Sequence, residues 1–419
     1  MIFLFLLLAF ELFLLSRVLR YFLLSPIYIY VLFSLATIFL SLGYFYYYED
    51  KFSLFNLDYV PEKVFLETIK LYIIALIVFL SGVLIYYEAS KKKIRILFNK
   101  SYTDSLFVKY KLNKSVTTIA ISIFFLVIIL YFLTYGKGLF MRKDYLPDTH
   151  RGLTILLKVF TFIEVILLGL IYSKNKTLSS ILFILLITIS ISTGSRSVFL
   201  FYILYVCLVF ISEGNNLFNK TRFLLHLLVG FVFLAFIMQL RKLDSHGLFP
   251  YIGSIGSSST DFVRKIVFNI YYSFIYGVFV TIGTIKKSNL DWNIIFININ
   301  PLPGSIVGWY DYAEKMRINF YAPYSLHGRV FKTGLVFTVI YFFITGLIFS
   351  YFEQRIRKML NNNKRILAFL ILMLLVLHII YAFEYNMRAA IRYFYYAFFI
   401  LLMGYLFRQL KKNLPKLKK

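Results

Sequence analysis

The chain has 419 residues, 60% of them hydrophobic and 16% charged, with a formal net charge of +27. Apolar surface on this scale exceeds what a soluble core encloses, so the bilayer is the expected solvent and the basic excess does not imply nucleic acid. Cys207 is the single cysteine and lies in an apolar run, which excludes an intramolecular disulfide, a cysteine zinc site and an iron–sulfur cluster.

Apolar runs of about 15 to 22 residues recur along the chain, long enough to cross roughly 30 Å of hydrocarbon as helices and too long and unalternating for barrel strands. The predicted spans are 1–15, 21–47, 65–87, 116–135, 153–172, 177–192, 197–212, 223–240, 333–352, 366–384 and 391–407. The expected fold is therefore all-α, a polytopic integral membrane protein of about 11 transmembrane helices forming one membrane domain, 1–419. The first run has no basic residue ahead of it and no small-residue cleavage site, so it is expected to be a retained span rather than a signal peptide.

Basic residues concentrate in 91–114, 353–365 and the tail 408–419, which the orientation bias of lysine and arginine places in the cytoplasm. The acidic loop 49–64, the segment 136–152, the turn at 193–197 and the long stretch 241–332 then face outward. That stretch carries Trp292, Trp309 and many tyrosines, so it is expected to fold as a large outer loop, with 267–285 apolar enough to enter the bilayer. Neither internal repeats nor transporter-like inverted symmetry is visible.

Arg196 lies in ISTGSRSVFLFY, squeezed between two spans, where a guanidinium needs an anionic partner or interfacial water. The start of the following helix, with Ser195 and Ser197, would add donors for an anion such as a lipid diphosphate. A capped turn with an arginine reaching to lipid phosphates explains the same residues. Arg241 follows the eighth span, and Arg388 and Arg392, four apart and so on one helix face, flank the last one. Basic residues at outer span ends run against the orientation bias, which a bound pyrophosphate would explain and ordinary interfacial anchoring would also allow.

His327, with Arg329 close by, stands before the ninth span and could act as a general base; a lone histidine is more often a satisfied polar residue. Glu384 is the second candidate base. Glu49 and Asp50 form an outer acidic pair, and Glu11 and Glu164 lie within spans, where a carboxylate is a functional candidate by default. His150, His226, His246 and His378 complete the histidines; none forms an H-x-x-x-H or H-E-x-x-H pair, so no metal and no cofactor is expected.

TGSRSVFLFYILYV, the outer segment with NINPLPGS at 298–305, YSLHGRVFKTGLVFTVIYF and MRAAIRYFYYAFFILLM together resemble the O-antigen polymerase (Wzy) family of oligosaccharide repeat-unit polymerases, over roughly residues 150–410. The chain departs from that pattern where an acid is expected some six positions before Gly334 and Gly328 stands instead, preceded by His327. The resemblance implies a metal-independent glycosyltransferase of the bacterial cytoplasmic (inner) membrane, with its active site on the outer face. It would transfer a growing glycan from undecaprenyl diphosphate to an incoming lipid-linked repeat unit. Arg196, Arg241, Arg388, Arg392 and Arg329 would then hold diphosphate, and His327 or Glu384 would take the acceptor proton. A chain-length regulator and a flippase are the partners such a reading implies. An O-antigen ligase-like transferase, a metal-using transferase with a lipid monophosphate donor, and a flippase or transporter of lipid-linked oligosaccharide are the alternatives.

Overall fold

The computed structural model describes residues 2–20, 25–47, 60–100, 114–144, 149, 151–195, 197–213, 217–240, 243–256, 260–319 and 322–413. Helix accounts for 83% of the structure, and among the described residues the sheet is one small hairpin; the protein is an all-α polytopic membrane protein. The helices are α1 (Ile2–Val18), α2 (Pro26–Tyr47), α3 (Glu62–Ala89), α4 (Lys92–Asn99), α5 (Lys114–Tyr135), α6 (Arg151–Ile171), α7 (Lys176–Ile191), α8 (Ser197–Glu213) and α9 (Leu217–Leu240). They continue with α10 (Leu248–Gly256), α11 (Thr260–Lys287), α12 (Trp292–Ile299), α13 (Trp309–Ala313), α14 (Leu326–Lys332), α15 (Leu335–Asn361), α16 (Arg365–Glu384) and α17 (Met387–Asn413). Strands β1 (Arg317–Asn319) and β2 (Ala322–Pro323) pair antiparallel between α13 and α14.

Each of the eleven predicted spans falls on a helix. Eight of these helices, α2, α3, α5, α6, α9, α15, α16 and α17, are long and apolar enough to cross a membrane. Helices α1, α7 and α8 have 17, 16 and 17 residues. At about 1.5 Å per residue they fall short of a full hydrocarbon thickness. The stretch 241–332 is mostly helical: α11 runs unbroken for 28 residues over the apolar 267–285, but its first turns carry Asp261, Arg264 and Lys265.

The chain divides into two compact units, 1–102 with 273–419, and 103–272, with the boundary inside α11. In the first unit α3 packs along α15. A Cβ on Gly346 would stand 2.2 Å from the Phe79 carbonyl oxygen, and one on Gly82 2.5 Å from that of Phe343, so these glycines let the two backbones touch. Aromatic rings fill the space beside this crossing: Tyr30 stacks on Phe79 at 4.1 Å, and Phe349 meets both.

At one end of α15, Glu353 and Arg357 form an ion pair with both side chains wholly buried. Arg357 donates through Nε to Glu353 at 2.7 Å, and its terminal nitrogens donate to the carbonyls of Phe98 at 2.9 Å and Arg20 at 2.8 Å. Ser25 donates to the other Glu353 oxygen at 2.9 Å. The guanidinium thus caps the C-terminal carbonyls of the short basic helix α4 and fixes it to the bundle. In the second unit α6 packs against α5, α7 and α8. Exposed Phe125, Ile129, Leu133, Ile155 and Val159 on α5 and α6 give it an apolar outer face suited to lipid.

Candidate functional site

Helix α14 is built into the first unit by capping. Ser325 accepts from the Gly328 amide at 3.0 Å and shares a hydrogen bond of 2.9 Å with Thr281, which bonds in turn to Tyr72. Gly328 is required by space: a Cβ there would stand 2.4 Å from the Thr284 Cβ. The departure from the acid expected at this position therefore coincides with a site that accepts no side chain at all.

His327, a candidate base, is 1% exposed. Its ring lies among Tyr72 at 4.8 Å, Phe383 at 4.5 Å and Phe342 at 5.4 Å, and its Nδ1–H donates to the Ala382 carbonyl at 2.9 Å. Burial pulls its pKa down to about 3, so the ring is neutral at ordinary pH. A base has to reach the proton it takes. This ring is enclosed and acts as a packing element between α14 and α16.

The neighbouring cations are also committed. Arg329 donates to the Asn289 carbonyl at 3.0 Å and lies 4.7 Å from the centre of the Tyr324 ring; burial lowers its pKa. Lys332 donates to the Ile285 carbonyl at 2.9 Å. Together they satisfy carbonyls at and just beyond the C-terminus of α11, where cations complement the helix dipole.

Arg388, in the first turn of α17, is 1% exposed and donates to the carbonyls of Ile297, Asn300 and Leu302 around the end of α12. Tyr395, two turns on, donates to Ile299 of the same helix end. One nitrogen of Arg388, Nε, is buried without a hydrogen-bond partner among the described residues.

Arg392 differs from these. It is half-buried, lies within electrostatic range of Arg388, and has no hydrogen bond or ion pair among the described residues. Tyr310, Tyr395 and Tyr396 also act on Arg388 electrostatically, and Tyr393 stands 6.2 Å from Tyr396 and 5.2 Å from Tyr381. Tyr310, Tyr385 and Tyr396 are each about half exposed, between 44% and 52%. The head of α17 therefore carries one half-buried, uncommitted guanidinium, that of Arg392, next to the buried and committed Arg388, with half-exposed tyrosine rings nearby. Such a patch can bind an anion by charge and stack a sugar ring.

Comparison with known proteins finds no matching family model, curated protein or solved structure. The geometry is thus the basis for a functional reading.

Glu384 is the last residue of α16, beside this patch in sequence, and its side chain lies outside the described residues, as do Arg196, Arg241, Glu49, Asp50 and His150. Around Arg196 the described turn has Gly194 at φ +67. Thr193 donates to the Ser190 carbonyl at 2.8 Å and accepts from the Ser195 amide at 3.2 Å. Arg142, which the sequence reading passed over, donates to the Ser192 carbonyl at 2.8 Å and ties this turn to the segment after α5. A cavity of about 120 Å³ among Tyr172, Tyr205, Arg222 and His226 is small beside the roughly 300 Å³ or more of ordinary ligand pockets.

Proposed function

We propose that the protein is a metal-independent membrane glycosyltransferase that polymerises lipid-diphosphate-linked oligosaccharide repeat units. The active site would face outward from a bacterial cytoplasmic membrane. The observation that carries this reading is the uncommitted Arg392 beside Arg388 among tyrosines at a helix head. A cationic group and half-exposed aromatic rings, which suit an anion and a sugar, are close together there, in a chain with helices long enough to span a bilayer. The TGSRS turn at 193–197 supports the same reading from the sequence side.

In the proposed reaction the acceptor hydroxyl attacks the anomeric carbon of the donor glycan. The bond from that carbon to the diphosphate oxygen breaks, and the lipid diphosphate departs with the charge. Arg392 stabilises that charge as it develops, assisted by the field of Arg388. The acceptor proton passes to Glu384, the carboxylate at the end of α16, since His327 is enclosed. Undecaprenyl-diphosphate oligosaccharides are the substrates, with a chain-length regulator and a flippase as functional partners.

The test uses the full chain in nanodiscs with a matched lipid-diphosphate-linked repeat unit, with and without chelator. The expected result is a product ladder that survives chelation and falls about 10- to 100-fold in Arg392→Ala, the worth of one or two charge-assisted hydrogen bonds. An undiminished ladder in that variant would remove the patch from the mechanism. No ladder from folded wild-type protein would overturn the polymerase assignment. A single transfer to a different lipid acceptor would make the protein a ligase.

A further inference from the structure

Helix α12 turns one edge inward and another outward. Ile295 and Asn298 are buried, whereas Trp292 and Phe296, four residues apart and so on one face, are 56% and 67% exposed. Leu290 before the helix and Leu302 and Ile306 after it are exposed as well. Large apolar side chains left open over neighbouring turns mark a surface that something covers.

Contacts within the first unit place this edge. The Trp292 ring meets that of Phe337 edge to face at 5.7 Å. Phe337 lies in the first turn of α15, which is long and apolar enough to cross a membrane, and Leu335, Val336, Val339 and Ile340 around it are exposed. The open edge of α12 thus continues the open face of a spanning helix at the point where that helix begins. The other end of α12 is held at the head of α17, where Arg388 and Tyr395 donate to the carbonyls of Ile297, Ile299, Asn300 and Leu302. Helices α15 and α17 pack on each other, with Phe352 and Phe398 at 4.7 Å. At about 1.5 Å per residue the eight residues of α12 reach about 12 Å, enough to lie across two adjacent helix heads. No side chain on α12 is charged; the Asp291 carboxylate accepts from the Asn293 amide at 2.8 Å, and Lys286 and Lys287 at the end of α11 are exposed.

We propose that α12 is an in-plane membrane helix that seats Trp292 and Phe296 among the acyl chains of the adjoining lipid leaflet, with Lys286 and Lys287 at the level of the lipid phosphates. Tryptophan favours that depth, where its ring is covered by hydrocarbon near the headgroups. Lipid rather than protein is the occupant because the edge is continuous with the exposed start of α15. Through Arg388 the seated helix then fixes the head of α17 at headgroup depth. The seat stands independently of the catalytic reading given for Arg392.

The chain has two tryptophans, so Trp309→Phe leaves Trp292 as a single reporter in the full-length protein in liposomes. Its emission should be quenched more by lipids brominated near the glycerol than by lipids brominated near the methyl ends, and little by iodide in the water. Phe296→Glu should reduce the bromolipid quenching, because a carboxylate is expelled from hydrocarbon. Strong iodide quenching without bromolipid quenching would overturn the proposal by leaving the edge in water. Quenching by neither would overturn it in favour of a covering protein surface, such as a second copy of this chain. A measurement on the unsubstituted protein uses a phospholipid with a photoreactive diazirine on its acyl chain near the glycerol. Adducts are expected on the peptide that holds Trp292 and Phe296 as well as on the start of α15. Labelling at Leu335–Ile340 with none at 290–296 in the same sample would refute the seat.

Discussion

Arg357→Met isolates the buried pair that anchors α4. In the native protein both Glu353 and Arg357 are wholly buried, and the guanidinium holds one Glu353 oxygen at 2.7 Å through two nitrogens. Removing one partner of such a pair typically costs about 3–5 kcal/mol, because the other is left uncompensated. The lost bonds to the Phe98 and Arg20 carbonyls, at 2.9 and 2.8 Å, add about 1 kcal/mol each, and the methionine side chain recovers part of this by filling the volume. The net expectation is a loss of about 4 kcal/mol. The double variant Arg357→Met with Glu353→Leu removes the stranded acid and should regain about half of that, leaving the cost of the uncapped α4 carbonyls. Unfolding of purified protein in mixed micelles measures both, and hydrogen exchange at 92–100 should accelerate in each variant. A single variant that costs under about 1 kcal/mol, or a double variant no more stable than the single, would show that the pair does not hold this end of the bundle.

Gly346→Ala places a Cβ 2.2 Å from a backbone oxygen that cannot swing aside, so α3 and α15 must separate; about 1–3 kcal/mol of stability should be lost in the same unfolding assay. Arg388→Met should accelerate hydrogen exchange across 292–302 by about tenfold, because three carbonyls at the end of α12 lose their donor. His327 has a folded-state pKa of about 3, below its unfolded value. Its contribution to stability is therefore complete above about pH 6.5 and declines by about 1.4 kcal/mol per pH unit as pH falls toward the folded value. His327→Phe should flatten that acid-side slope, and an unchanged slope would mean that the ring is not held neutral.

Individual residues show how far the sequence reading extends. The i, i+4 spacing of Glu353 and Arg357 was visible in EQRIRKML, but the cations of that segment were read as orientation signals. Nothing in the sequence placed Ser25, Arg20 and Phe98 around that pair. Arg388 and Arg392 were legible as a helical face, but their different commitments were not. Arg388 turns inward because the end of α12 offers carbonyls within reach, and Arg392, one turn on, meets none. His327 was read as either a base or a satisfied core residue, and the aromatic rings of α3, α15 and α16 place it in the interior. Arg142 gave no signal, because its partners are the main-chain carbonyls of Gly138, Asp144 and, fifty residues away, Ser192, and any sequence supplies carbonyls.

The sequence by itself determined that this is an all-α membrane protein and where its long helices lie. Those properties follow from the length and composition of contiguous apolar runs, which act locally. Tertiary structure decided what the buried polar residues do. A guanidinium or carboxyl group excluded from water takes its role from whichever carbonyls, rings or hydroxyls the packed helices bring to it, and residues distant in the chain provide most of these. That is why Arg357 and Arg388 became helix caps, and why Arg392, one turn from Arg388, makes no hydrogen bond among the described residues.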